Sequence, residues 1–172
     1  MHIILETPRL LLRRFTEADT ALLLALNSDP EVLKYIHEPA LEDEAHALRV
    51  IKEIILPQYE DNLGRWAMHK KDDGVFIGWC GLKKIADTGE IDLGYRLMKI
   101  YWGQGYATEA ARHCLQYGFT ELGLPLITAH AHIENGASLH ILEKIGLQFI
   151  KEQVLDGEPV KTFNLANPAA SE

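Results

Sequence analysis

Tyr101-Trp102-Gly103-Gln104-Gly105-Tyr106-Ala107-Thr108 is the stretch that decides how the chain is read. Before it, Ile91 to Met98 alternates well enough for a β-strand. After it, Ala107, Ala110, Ala111, Cys114, Leu115, Gly118 and Leu122 share one face of a long helix. A glycine turn between a strand and a helix start aims unpaired backbone N–H groups at an anion, and the helix dipole adds to them. An ordinary tight strand-to-helix turn would carry the same glycines. A P-loop would close on Gly-Lys-Ser/Thr, whereas Gly105 is followed by Tyr106 and Ala107. A dinucleotide fingerprint would put its third small residue on Thr108 and open a run of βαβ units, for which few residues remain. The expectation is a phosphate-bearing ligand of another kind.

Composition narrows the class. A chain of 172 residues, 47% hydrophobic and 24% charged, reads as one globular domain over residues 1–172. A formal net charge of -8 argues against nucleic-acid binding and suits a cationic small molecule or a basic protein terminus as partner. Cys80 and Cys114 are too few for a zinc knuckle or a disulfide framework, so a reduced, cytoplasmic protein without a metal is expected. No long apolar run follows a basic N-terminus and none reaches 18 residues, so neither export nor a membrane partner is expected.

Outward from the glycine turn, Arg9 to Phe15 reads as a first strand, and Thr16 with Asp19 as the cap of a helix over Glu17 to Leu26. Asp29-Pro30 starts a short helix, and a longer one from Leu41 to Leu56 is expected to end at Pro57, with Ala45, Leu48, Ile51, Lys52 and Ile55 on adjoining turns. Strands follow at Arg65 to Lys70 and Val75 to Ile85, joined by Lys71-Asp72-Asp73-Gly74, and a turn at Asp87-Thr88-Gly89 leads to the strand before the glycine turn. Then come a strand from Leu126 to Ile133 and a short helix from Ala137 to Ile145 stopped by Gly146. Strands Gln148 to Val154 and Val160 to Leu165 flank Asp156-Gly157, and the tail Asn167 to Glu172 reads as frayed.

Several stretches taken together resemble the GNAT N-acetyltransferases: Ile91 to Leu97, Tyr101 to Ala110, Asn135 to Ser138 and Glu143 to Gly146. The opening Glu6-Thr7-Pro8-Arg9-Leu10-Leu11-Leu12-Arg13-Arg14 resembles the RimJ/RimL-type branch, the ribosomal-protein alanine acetyltransferases. The likeness covers about Glu6 to Lys151. It implies an α/β (α+β mixed) fold with a largely antiparallel central sheet flanked by helices and splayed between strands four and five. It also implies acetyl-CoA as cosubstrate; the sequence itself leaves monomer and homodimer equally open.

The same resemblance distributes the site residues. The diphosphate of the coenzyme would lie in Trp102, Gly103, Gln104, Gly105, Tyr106, Ala107 and Thr108, with Trp102 where the family usually has Gln or Arg. The pantetheine arm would meet main-chain groups near Leu97 and Met98. Asp92 stands where relatives carry a Glu proposed to deprotonate the acceptor; a solvated or amine-binding carboxylate is its other reading, and Glu90 is a weaker candidate. Asn135 either caps the next helix or contacts pantetheine. Ser138 is the expected proton donor to the departing thiolate, since Leu142 occupies the position of the family's usual Tyr. His130 and His132 share a strand face, as a polar surface or as a base in the acceptor channel, without further ligands at metal spacing. Trp66 and Trp79, on neighbouring strands, read as core rather than as a substrate platform, and Cys114, on the apolar helix face, argues against a cysteine intermediate.

The implied reaction is acetyl transfer to a primary amine by direct attack in a ternary complex. The acceptor would be a protein N-terminal amine, or alternatively a polyamine, amino sugar or amino-acid-like metabolite. A noncatalytic acyl-CoA-binding sensor and a protein binding ATP or NAD are the competing classes.

Overall fold

In the computed structural model, which describes residues 1–171, eight strands form one sheet in the order β1-β2-β3-β4-β5-β6-β8-β7. The strands are β1 (Ile3–Glu6), β2 (Leu10–Arg13), β3 (Gly64–Lys70), β4 (Phe76–Lys84), β5 (Ile91–Leu97), β6 (Leu126–His132), β7 (Gln148–Leu155) and β8 (Glu158–Ala166). Every neighbouring pair is antiparallel except β5 and β6. Those two are parallel and share a single bridge, Asp92 with Thr128, so beyond it their main chains face each other without a ladder. This is the expected splay, one strand later in the count because β1 carries too few alternating residues to be seen in the sequence.

Strand alternation sorts the side chains onto two faces. Trp66, Cys80, Leu82, Leu93 and Tyr95 point to the face covered by α5 (Tyr106–Thr120) and α6 (Gly136–Lys144), where Trp66 meets Tyr117 edge-on at 5.6 Å. Helix α5 presses close at Gly118, where a Cβ would stand 2.8 Å from Leu82 Cδ1 and Ile127 Cδ1. Cys114 and Cys80 are wholly buried between helix and sheet, and burial pushes the Cys114 thiol well up. The other face, with Arg65, Trp79, Asp92 and Arg96, looks toward α1 (Thr20–Asn27), which Arg96 reaches at Asn27.

The Thr16 cap is a full capping box with Asp19, opening a 3-10 turn (Glu17–Asp19) that runs into α1. Asp19 also takes both Arg13 Nη groups at 2.8 and 2.9 Å. Burial alone would raise its pKa, but the bonds from Arg13 and Thr16 outweigh it and hold the carboxyl below the usual range. After α2 (Pro30–Leu33), capped by Asp29, α3 (Glu44–Val50) does not stop where proline was expected to end it. Its turns widen over Ile51–Ile55, with Leu56 N–H reaching Ile51 O, and continue into α4 (Leu56–Gln58). The wider turn absorbs the N–H that Pro57 lacks. Its buried face is Ala47, Ile51 and Ile55, while Ala45 is exposed.

Two further expectations change. Tyr106 is buried and belongs to the packed face of α5, whereas Leu122 lies past the helix end. Asn167 is not frayed: it is buried and its Nδ2 donates to Phe119 O at 3.2 Å and Leu124 O at 2.9 Å, ahead of a 3-10 turn (Pro168–Ser171). The last residue of that expected tail, Glu172, lies outside the described residues.

Candidate active site

The glycine turn leaves the end of β5 through a 3-10 turn (Lys99–Tyr101). Gly103 and Gly105 have φ of +73° and +82°, a region that side chains with L chirality enter at a cost. Gly105 is the residue preceding the first turn of α5, and residues 102–105 are exposed. The first bond of the helix runs from Glu109 N to Gly105 O, so the amides of Tyr106, Ala107 and Thr108 come before any intrahelical partner. Tyr106 sinks its ring beside Tyr101, 6.4 Å away, which fixes the direction in which these amides point. Nothing lies within 4 Å of where a Cβ on Gly103 would stand, so the backbone is bare on that side. The turn therefore fits a diphosphate.

Side chains of the turn fold back on it. Trp102 Nε1 donates to Leu97 O at 2.9 Å and Gln104 Nε2 to Ile100 O at 3.1 Å, so neither is aimed outward as a phosphate ligand. Instead a cation comes from far away in sequence. Arg9 donates through Nη1 to Gln104 O and through Nε to Glu109 Oε2, both at 3.0 Å, and lies 4.2 Å over the Tyr106 ring.

The opening between β5 and β6 adjoins this turn. Met98 N–H bonds Ile77 O across β4 at 2.9 Å. By the alternation of an antiparallel ladder, the main-chain groups of Leu97 and Tyr95 then point the other way, toward β6. On the helix side of the opening, the Tyr95 hydroxyl sits 2.8 Å from Ser138 Oγ and 3.2 Å from Ser138 O. Burial raises the Tyr95 pKa well above that of a free phenol, so it keeps its hydrogen. Asn135 precedes α6, and its Oδ1 accepts from Ser138 N at 3.2 Å, while Leu142 is core. Thus Asn135 and Ser138 come together at the opening, joined by Tyr95, which the sequence reading passed over as a strand residue.

On the opposite face Asp92 is not free. Its Oδ2 takes Arg65 Nη2 at 2.7 Å, both side chains being about 15% exposed, and Arg65 Nη1 also donates to Gly81 O and Asp92 O. The guanidinium lies across β5, where a Cβ on Gly94 would come within 2.8 Å of Arg65 Nη2. Trp66 is core, but Trp79 is half-buried between two cations, Arg65 and Arg96, at 4.9 and 5.0 Å. Arg96 bonds Asn27 and Glu38, and its Nε is buried without a partner among the described residues.

His130 and His132 lie on this same face. His130 Nδ1 is 2.9 Å from Thr162 Oγ1, which also takes Gln153 Nε2 at 2.6 Å, and its Nε2 is 3.7 Å from Glu90. His132 Nδ1 accepts from Glu134 N, so Nε2 carries the hydrogen and donates to Glu158 Oε2 at 3.1 Å. Tyr35 stacks obliquely on His132, 5.4 Å between centroids, and His37 stands 3.8 Å from Glu158. A hollow of about 290 Å³ is lined by residues 36–39. Of these groups Glu90 and the alternation of His130 and His132 were visible in sequence; Tyr35, His37, Glu38 and Glu158 are too scattered. A separate concavity of about 560 Å³ lies at the far end of β5 and β6 from the glycine turn, near Glu90 and Thr128. Among the described residues no group of three or more His, Cys, Asp or Glu could hold a metal, and no helix is long and apolar enough to cross a membrane.

Comparison with known proteins converges on one family. Residues 9–148 match the family described as "Acetyltransferase (GNAT) domain". The chain is 34% identical over 145 residues to the uncharacterized N-acetyltransferase p20 of Bacillus licheniformis, covering 84% of this chain and 82% of that protein. Its fold is similar to that of the RimL ribosomal L7/L12 alpha-N-protein acetyltransferase solved with coenzyme A, with a TM-score of 0.83 at 15% identity over 98% of this chain and 99% of that one. It is also similar to spermidine N-acetyltransferase from Vibrio cholerae, solved with CoA and spermine, with a TM-score of 0.78 at 20% identity over 95% of this chain and 98% of that one.

Proposed function

Because the chain belongs to the GNAT acetyltransferase family and is an acetyl-CoA-dependent N-acetyltransferase, we propose that its acceptor is a primary amine reached from the Arg96 face of the sheet, with a protein N-terminus as the first choice. The observation that carries this reading is the partition at β5 and β6: the bare glycine turn and the Tyr95–Ser138 pair lie on one side, and the carboxylates of Glu38, Glu90 and Glu158 on the other. Carboxylates at an entrance draw in ammonium groups.

Coenzyme A would be held by the main chain of Gly103, Gln104, Gly105, Tyr106, Ala107 and Thr108 and, beside the opening, by Leu97 N–H and Asn135. Trp102 N–H is taken by Lys99 O, and Met98 by Ile77 O and Tyr101 N–H, so these two shape the site without a free main-chain donor. It supplies the acetyl group as a thioester. The amine must lose a proton on the acceptor face. His130, whose Nε2 is beyond bonding distance of Glu90, and Glu158, the more exposed of the two and oriented by His132, are freer to accept it than Asp92, whose Oδ2 is taken by Arg65. Ser138 gives a proton on the helix side. With both cysteines buried, attack is direct.

The RimJ/RimL-type assignment rests on the opening motif and on the similar fold of an alpha-N-protein acetyltransferase. A small polyamine is the second reading, favoured by more than one carboxylate on the acceptor face, Glu38 beside Arg96 and Glu158 beside His132, and by the similar fold of a spermidine enzyme. A panel of peptide N-termini, polyamines, amino sugars and amino acids, followed by free-thiol release, tests both. Peptides are expected to lead. Polyamines ahead of every peptide would reverse the choice, and coenzyme binding with no thiol release from any amine would make the chain a sensor.

Ser138→Ala is expected to lower kcat about 100-fold with coenzyme affinity retained, the lower end of what one proton-handling group contributes. Tyr95→Phe should act through the same hydroxyl. Combined, the two changes should cost little more than Ser138→Ala alone, and additive losses would separate Tyr95 from Ser138.

A further inference from the structure

The opening motif Thr7-Pro8-Arg9-Leu10 takes no part in proton transfer, yet it is tied at both ends. Thr7 N–H donates to Leu10 O, Leu10 N–H to Thr7 Oγ1, and Lys71 N–H to Arg9 O, at 2.9, 3.0 and 2.9 Å. This clamp presents Arg9 to the glycine turn from the other end of the chain. Two of its guanidinium nitrogens are engaged, Nε with Glu109 and Nη1 with Gln104 O. The third, Nη2, has no hydrogen-bond partner among the described residues and stands 3.3 Å from where a Cβ on Gly105 would be.

The charges around the turn make this arrangement necessary. Glu109 lies in the first turn of α5, next to the amides that would face an anion. A bare carboxylate suits the helix dipole but repels a phosphate. Arg9 cancels that charge through Nε and still has a donor left over. Its plane is held by the Tyr106 ring, so little freedom remains to be lost when an anion arrives. Gly105 serves the same end, since any side chain there would meet the guanidinium.

We propose that Arg9 is a ligand of the coenzyme diphosphate, its Nη2 adding a charge-assisted hydrogen bond to the main-chain donors of Gly103 to Thr108. The proposal rests on the reading that this turn receives the diphosphate.

Calorimetric titration of wild type, Arg9→Gln and Arg9→Lys with CoA, 3′-dephospho-CoA and pantetheine tests it. Arg9→Gln should bind CoA and dephospho-CoA about 10-fold more weakly, as expected for a partly exposed bond to a charged group, and should lose affinity less steeply with salt. Arg9→Lys should recover part of the loss through its charge alone. Pantetheine, which has no diphosphate, should bind all three proteins alike, and acetyl-pantetheine should be turned over at wild-type kcat/KM. Unchanged CoA affinity in Arg9→Gln, an effect confined to CoA and absent with dephospho-CoA, or an equal loss with acetyl-pantetheine would each overturn it; the last would make Arg9 a brace for the loop only. If the turn itself were misassigned, folded Gly105→Val would bind CoA as tightly as wild type, whereas failure of the Arg9 proposal alone would leave Gly105→Val weakened and Arg9→Gln unchanged.

Discussion

Gly105→Val is expected to weaken coenzyme A binding about 100-fold or more while the protein stays folded. Two costs combine. The residue has φ of +82°, where a β-branched side chain pays roughly 1–2 kcal/mol of backbone strain. Its Cβ would also stand 3.3 Å from Arg9 Nη2, so the guanidinium must give by a few tenths of an ångström, and the valine side chain crowds the nitrogen and the main chain that would meet the diphosphate. Losing about 2.7 kcal/mol of binding corresponds to that factor of 100. Gly103→Ala is the control: its φ is also positive, but nothing stands within 4 Å of its new Cβ, so a smaller loss is expected. Titration with CoA, with a thermal melt to establish folding, measures both. A folded Gly105→Val protein with wild-type affinity would refute the cradle.

Asp92→Ala should act first on stability. Removing the carboxylate leaves the Arg65 guanidinium, about 14% exposed, without its counter-charge over Gly94. Breaking one half of such a pair typically costs about 3–5 kcal/mol, a large share of a domain's total stability. The urea midpoint should fall accordingly. Replacing both partners, Arg65→Met with Asp92→Ala, should recover more than half of the loss, because no orphan charge remains. Per folded molecule, Asp92→Ala should keep its pH–rate profile. A profile that instead loses its lower limb would make Asp92 the proton acceptor and the pairing with Arg65 secondary.

The two variants separate what is local from what is not. Gly103 and Gly105 announce their role in the chain itself, because a positive φ before a helix demands glycine wherever the rest of the fold lies. Thr16 with Asp19, Asp29 with Pro30, and Asp156 with Gly157 are legible for the same reason: each signal and its partner sit within a few residues. Where local rules compete with packing they mislead. Pro57 should have ended a helix, yet the turns over Ile51–Ile55 widen to keep Ile51 and Ile55 in the core. Asn167 should have been loose, yet two carbonyls near the end of α5 hold it.

The sequence by itself determined the elements from β2 onward, their order and a glycine turn of bare backbone ahead of a helix, since periodicity and glycine conformation depend only on neighbours along the chain; the splay was implied by the family resemblance alone. Its motifs also carried the family. Tertiary structure alone decided the company each charged group keeps: Arg9 beside Gln104, 95 residues away, Arg65 on Asp92, Tyr95 on Ser138, and Glu158 on His132. Such pairings follow from strand register and from which face a side chain takes. A carboxylate read as a free base becomes an ion pair once the neighbouring strand brings a guanidinium within 2.7 Å of it.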